Sequence, residues 1–118
     1  MNVKISTVMP VYNASEYIRK TIGSVLGQTL REIELICVDD GSTDDSAEII
    51  EEYAQADPRV RLVRQKNRYA GEARNNGLQY ALGEYAHFMD SDDWLVPDAY
   101  ERLYACVQGT KDDMCGFF

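Results

Sequence analysis

The chain has 118 residues, 45% of them hydrophobic, enough for one domain with a buried interior and no need of a disulfide framework or structural metal. Twelve basic residues against twenty acidic ones give a formal charge of -8, which excludes general nucleic-acid binding, since that relies on lysine and arginine to neutralise phosphates. Cys37, Cys106 and Cys115 are odd in number and lack metal or redox spacing, and no apolar run approaches the ~18 residues of a membrane span, so free thiols and a cytoplasmic location are expected.

Lys4 to Pro10 alternates and is rich in β-branched residues, as in a strand. Asn13-Ala-Ser-Glu16 has the spacing of a capping box, and Ile18, Ile22, Val25 and Leu26 then repeat along one helical face to about Gln28. Ile33 to Val38 is a near-continuous apolar run, as in a strand buried on both faces, followed by the turn Asp39-Asp-Gly-Ser-Thr-Asp44 and a helix to about Ala56. Pro58 precedes a third strand, Val60 to Gln65, and Asn67 to Gly71 forms a loop. Six of the twelve basic residues lie between Arg59 and Arg74, where a solvated strand edge and loop account for most of them.

Ala70, Ala73, Gly77 and Ala81 are small residues at helical spacing, which predicts a helix packed close to its neighbour, with Gly83 as its C-cap. Tyr85 to Met89 reads as the fourth strand, Asp90-Ser-Asp-Asp93 sits at its carboxyl end, and Pro97-Asp98 opens a helix carrying Leu103 and Val107 and closed by Gly109. This alternation predicts an α/β fold, a mainly parallel sheet with helices on both faces. Ligands of such sheets bind beyond the carboxyl ends of the strands. Three polar groups fall there: Pro10-Val-Tyr-Asn13, Asp39-Asp40 and Asp90-Ser-Asp92.

Asp39 and Asp40 can serve the start of the following helix, because acids near a helix N-terminus are favoured. Two adjacent acids exceed what a cap requires, so one carboxylate can instead accept the N–H of a base or a ribose hydroxyl. Asp90 and Asp92 can converge on one hard cation, Mg2+ or Mn2+, if extended geometry persists, because residues i and i+2 of a strand share a side; a polar turn is the other reading. A calcium loop fits at Asp90, Asp92, Asp98 and Glu101 but fails at Trp94, Leu95 and Pro97. His87 receives no role. Tyr12 and Trp94 flank two strand ends and can stack on a base or sugar ring, with core packing the other reading for Trp94.

Together, Val8-Met-Pro-Val-Tyr-Asn13, Val38-Asp-Asp-Gly-Ser-Thr-Asp44, Gly71-Glu-Ala-Arg-Asn-Asn-Gly77 and Met89-Asp-Ser-Asp-Asp93 resemble glycosyltransferase family 2 in order and spacing. The resemblance implies the GT-A fold, of which this chain would be the Rossmann-like nucleotide-binding half, and an inverting transferase using a nucleoside-diphosphate sugar, most often a UDP-sugar. It places Pro10, Val11 and Tyr12 around the base, Asp40 and Asp39 on uracil or ribose, and Asn67 and Arg74 in support of the nucleotide. Asp90 and Asp92 match the family's DXD motif, with Asp92 as metal ligand and Asp90 nearer the ribose or the metal's water shell. By the same resemblance the general base is an acid beyond Phe118, after a strand beginning near Met114, so a truncated domain is expected, lacking the acceptor part and able to self-associate through an uncovered sheet edge.

Two other readings carry less. A non-catalytic nucleotide-binding fragment shares every motif above. A phospho-receiver domain shares the outline, yet the first strand ends in Met9-Pro-Val-Tyr-Asn13 rather than in paired acids. A dinucleotide fold needs a glycine-rich turn at that place, and no glycine lies between Met1 and Ile22.

Overall fold

The computed structural model describes residues 2–66 and 69–110. Strands β1 (Ile5–Val11), β2 (Ile33–Asp39), β3 (Val60–Arg64) and β4 (Tyr85–Phe88) alternate with helices α1 (Ile18–Leu26), α2 (Ser46–Ala56), α3 (Tyr69–Leu78) and α4 (Ala99–Thr110). The strands form one parallel sheet in the order β3-β2-β1-β4. From β1 the chain steps outward to β2 and β3, then returns to the other side of β1 for β4. That reversal opens a crevice at the carboxyl ends of β1 and β4.

The period of two in the strands sorts the core into two layers. Ile5, Met9, Leu35, Cys37 and Val60 meet Ile18, Ile22 and Val25 of α1, Ile49 and Ile50 of α2, and Tyr100 of α4. On the opposite face Val8, Ile36 and Val38 meet Ala73 of α3. A β-carbon on Gly77 would lie 2.5 Å from Val8 Cγ1 and 2.9 Å from Val38 Cγ2. The small-residue stripe therefore does what its spacing predicts: α3 rests on the sheet at a distance only hydrogen permits.

Three local expectations fail. Asn13–Glu16 forms no capping box: α1 starts after Tyr17 without a side-chain cap, and Asn13 sits in the left-handed region at φ 49°. Gly83 is not the C-cap of α3, which ends at Leu78; its missing β-carbon instead leaves room for Ser6, whose backbone N would be 2.8 Å away. Gly109 lies within α4. The buried Glu34 explains the tight passage near Ser6, because its carboxylate accepts from Ser6 Oγ at 2.6 Å and Leu82 N at 2.7 Å.

Thr7, Tyr100 and His87 form a hydrogen-bonded chain under α4. Burial raises the Tyr100 phenol and lowers the His87 imidazole relative to their ordinary values, so both are neutral packing groups at pH 7. Cys37 is free and buried, whereas Cys106 is disulfide-bonded. Of the described cysteines, only Cys37 is a free thiol. Asn67, Arg68, Cys115 and the strand expected near Met114 lie outside the described residues. Among the described residues no helix is long and apolar enough to cross a membrane.

Candidate functional site

The crevice at the switch point is a cleft of about 360 Å³ whose walls include Pro10, Val11, Tyr12, Asp40, Asp90 and Asp92. Six residues singled out from the sequence thus share one concavity. Pro10 fits there for a backbone reason. Val11 O accepts from Asp40 N toward β2, and Val8 O accepts from Met89 N toward β4. Pro10, in step with Val8, aims its missing N–H to the side where β4 has ended, so no ladder bond is lost. Tyr12 is 51% exposed and Tyr17, which the sequence reading missed, is 50% exposed, leaving both rings open to a planar ligand.

The β1–α1 and β2–α2 loops are laced together. Asn13 N donates to Ser42 Oγ at 2.9 Å, Ala14 N to Ser46 Oγ at 2.8 Å and Ser15 N to Asp44 Oδ2 at 3.1 Å, while Asn13 Oδ1 accepts from Thr43 N at 2.8 Å. Asn13 and Ser15 therefore bind the neighbouring loop and not their own helix. Hydrogen bonding from Ser46, its side chain above all, holds the Asp44 carboxyl at about 2, below its ordinary 3.8. A depressed carboxylate contributes stability above the unfolded value that is lost as pH falls through the folded one. Asp44→Asn is expected to remove that part of the acid destabilisation between about pH 4 and 2; an unchanged difference in thermal midpoint between these pH values would contradict it.

Asp39 and Asp40 point to opposite faces of the sheet. Asp39 is buried and does not line the cleft; its Oδ2 accepts from Ser42 N at 3.1 Å, and its Oδ1 has no hydrogen-bond partner among the described residues. Asp40 does line the cleft, and its Oδ1 accepts from Gln65 Nε2 at 3.0 Å. Gln65 Oε1 accepts in turn from Asn76 Nδ2 at 2.9 Å. Neither amide takes a role from the sequence: an isolated Gln at a strand end carries no pattern, and Asn76 enters only as part of the segment Gly71 to Gly77.

Beyond Phe88 the backbone turns instead of staying extended, with Asp93 N donating to Asp90 O at 3.1 Å. The turn gathers three acids: one carboxylate oxygen from each of Asp90, Asp92 and Asp93 lies within 4.8 Å of the others, all three side chains exposed. The strand-side argument for Asp90 and Asp92 is thus replaced by a turn that adds Asp93. Thr21 Oγ1 of α1 donates to Ser91 O at 2.7 Å and pins the turn. Oxygen-only donors in an open arrangement fit a hard cation that keeps water or phosphate in the rest of its shell.

Arg74 of α3 reaches Asp90 at 3.6 Å, with the two side chains 42% and 65% exposed. Such a pair is worth about 0–1 kcal/mol, so the guanidinium can turn to a stronger anion. Trp94 is 57% exposed under the ammonium of Lys20, 4.8 Å from the ring centroid, which discards core packing for it. A larger concavity of about 810 Å³ beside β4, walled by Phe88, Trp94 and Val96, is mainly apolar and takes from the acid turn only Asp93.

The sequence model of Glycosyl transferase family 2 matches residues 6–118. This chain belongs to that family. Among family relatives, glycosyltransferase GlyA of Streptococcus pneumoniae serotype 4 is 45% identical over 111 residues, which are 94% of this chain and 16% of GlyA. The crystal structure of S. aureus TarS 1–349 in complex with UDP-GlcNAc superposes with a TM-score of 0.81 at 30% identity, covering 94% of this chain and 33% of that one. The mannosyltransferase PcManGT of Pyrobaculum calidifontis, in complex with GDP-Man and Mn2+, gives 0.76 at 23% identity, covering 96% and 34%, and bears on the fold alone. The GT-A fold and membership of a transferase family follow. The chain spans between a sixth and a third of the length of these glycosyltransferases.

Proposed function

We propose that the chain forms the donor site of a glycosyltransferase that takes a UDP-sugar with Mn2+ or Mg2+ and delivers the sugar, with inversion, to a sugar or glycan acceptor. The observation that carries this reading is the meeting, in one cleft, of an open aromatic wall, the buried Asp40 and the acid turn. The UDP-GlcNAc bound by TarS supports the choice of donor. Pro10, Val11 and Tyr12 flank the base, Asp40 accepts its N–H, and Asp39 steadies the loop behind it. Arg74, released from Asp90, meets the diphosphate, and Asn67 is proposed to support the nucleotide.

Asp92 would hold the cation, with Asp90 and Asp93 contributing directly or through water. When bound, such an ion withdraws charge from the departing diphosphate. Without it, a dianion would face three carboxylates. The general base and acceptor site are proposed to belong to the larger share of the relatives' length that this chain does not span.

Asp40→Ala is expected to weaken uridine and UDP alike by about 1.5–3 kcal/mol, the range for a hydrogen bond to a charged group. Calorimetry with uridine, UDP and inorganic diphosphate checks this. Loss for diphosphate with uridine unaffected would move Asp40 to the phosphate end and sink the assignment.

A further inference from the structure

Resting on the reading of Asp40 as acceptor of the base N–H, we propose that Gln65 and Asn76 are positioning residues that set base selectivity by fixing the Asp40 carboxylate. Gln65 is held from both ends. Its backbone N donates to Asp39 O at 2.9 Å, which seats it beside the end of β2. Its side chain bridges Asp40 Oδ1 at 3.0 Å and Asn76 Nδ2 at 2.9 Å. Asn76 precedes Gly77, the residue that brings α3 against Val8 and Val38, so the close helix packing is what delivers this amide to the strand end.

The polarity of the relay follows from the groups. An ionised carboxylate only accepts, so the Gln65 NH₂ must face Asp40 and its oxygen must face Asn76, which therefore donates. One carboxylate oxygen is thus anchored through an amide that cannot rotate without losing two hydrogen bonds. A base that offers an N–H at its pairing edge, as uracil does, is accepted. Cytosine, whose ring nitrogen there is an acceptor, is repelled.

Reversing the relay tests this. Asn76→Asp makes position 76 accept only, so two carboxylates compete for the one Gln65 NH₂ and either orientation sets an oxygen against an oxygen. UDP affinity is expected to fall about 10-fold, as for a lost charge-assisted hydrogen bond, with the loss falling on UDP and not on inorganic diphosphate. Asp40→Asn alone leaves the amide direction undecided and lowers the preference for UDP over CDP. When both substitutions are combined, the carboxylate at position 76 holds the Gln65 NH₂ and Gln65 Oε1 accepts from the amide at position 40. The oxygen of that amide is then presented to the base.

The double variant is therefore expected to regain preference for UDP over CDP beyond the product of the single effects, and adding Gln65→Leu is expected to cancel the gain. Titrations with UDP and CDP, beside thermal melts that confirm folding, read all of these. Recovery that depends on Gln65 supports the relay. Strictly additive effects, or Gln65→Leu with an unchanged UDP-to-CDP ratio in the otherwise natural protein, would overturn it. A natural protein without preference for UDP over CDP would overturn the reading of Asp40 itself, which keeps the two failures apart.

Discussion

Asp92→Ala is expected to abolish the manganese dependence of UDP binding. The three carboxylates of the turn place one oxygen each within 4.8 Å of the others, and the formal charge of the whole chain is -8. A diphosphate approaching that surface is repelled unless a cation lies between. Removing a group that only supports a metal ligand already costs about 10- to 100-fold in metal affinity, so losing a ligand should cost at least about 100-fold. The fold should persist, because Asp92 is exposed and the turn is pinned through Ser91 to Thr21. UDP titrations with and without manganese, beside a thermal melt, decide it: an unchanged manganese dependence in a folded Asp92→Ala protein would contradict the metal assignment.

Gly77→Ala is expected to destabilise the domain. The new carbon would sit 2.5 Å from Val8 Cγ1 and 2.9 Å from Val38 Cγ2, and both valines are fully buried in the central strands. Relief requires α3 to lift from the sheet, which would also draw Asn76 from Gln65. Overpacking of this kind costs about 1–3 kcal/mol, outweighing the ~1 kcal/mol that alanine gains over glycine inside a helix. Gly71, in the first turn of the same helix, has nothing within 4 Å of the place a β-carbon would take, so Gly71→Ala serves as the control. Chemical denaturation should give a lower midpoint for Gly77→Ala and no loss for Gly71→Ala; equal midpoints would contradict the packing account.

The element order was readable in the chain because each strand and helix carries its own period, and the close approach of α3 was readable because small residues recur at helical spacing. The three polar groups at strand ends were readable for the same reason: a parallel sheet puts its loops together at one end. What escaped was whatever depends on a partner distant in sequence. Asn13 and Ser15 look like a local cap, yet their bonds go to Ser42, Thr43 and Asp44. Gly83 looks like a helix stop, yet it makes room for Ser6. Gln65 shows no motif, and Asn76 sits in the segment Gly71 to Gly77 without a role of its own, because their joint role exists only once β3 and α3 stand beside Asp40. Asp93 joined the acid group through a turn where strand geometry was assumed.

The central claim, that this cleft is a metal-assisted nucleoside-diphosphate site, is tested most directly by calorimetric titration of the protein with UDP in manganese and again in EDTA. The account predicts saturable binding of one UDP that tightens at least about tenfold when manganese is present, as expected if the cation supplies about 1.4 kcal/mol or more. Absence of binding in both conditions, or equal affinity in both, would contradict it.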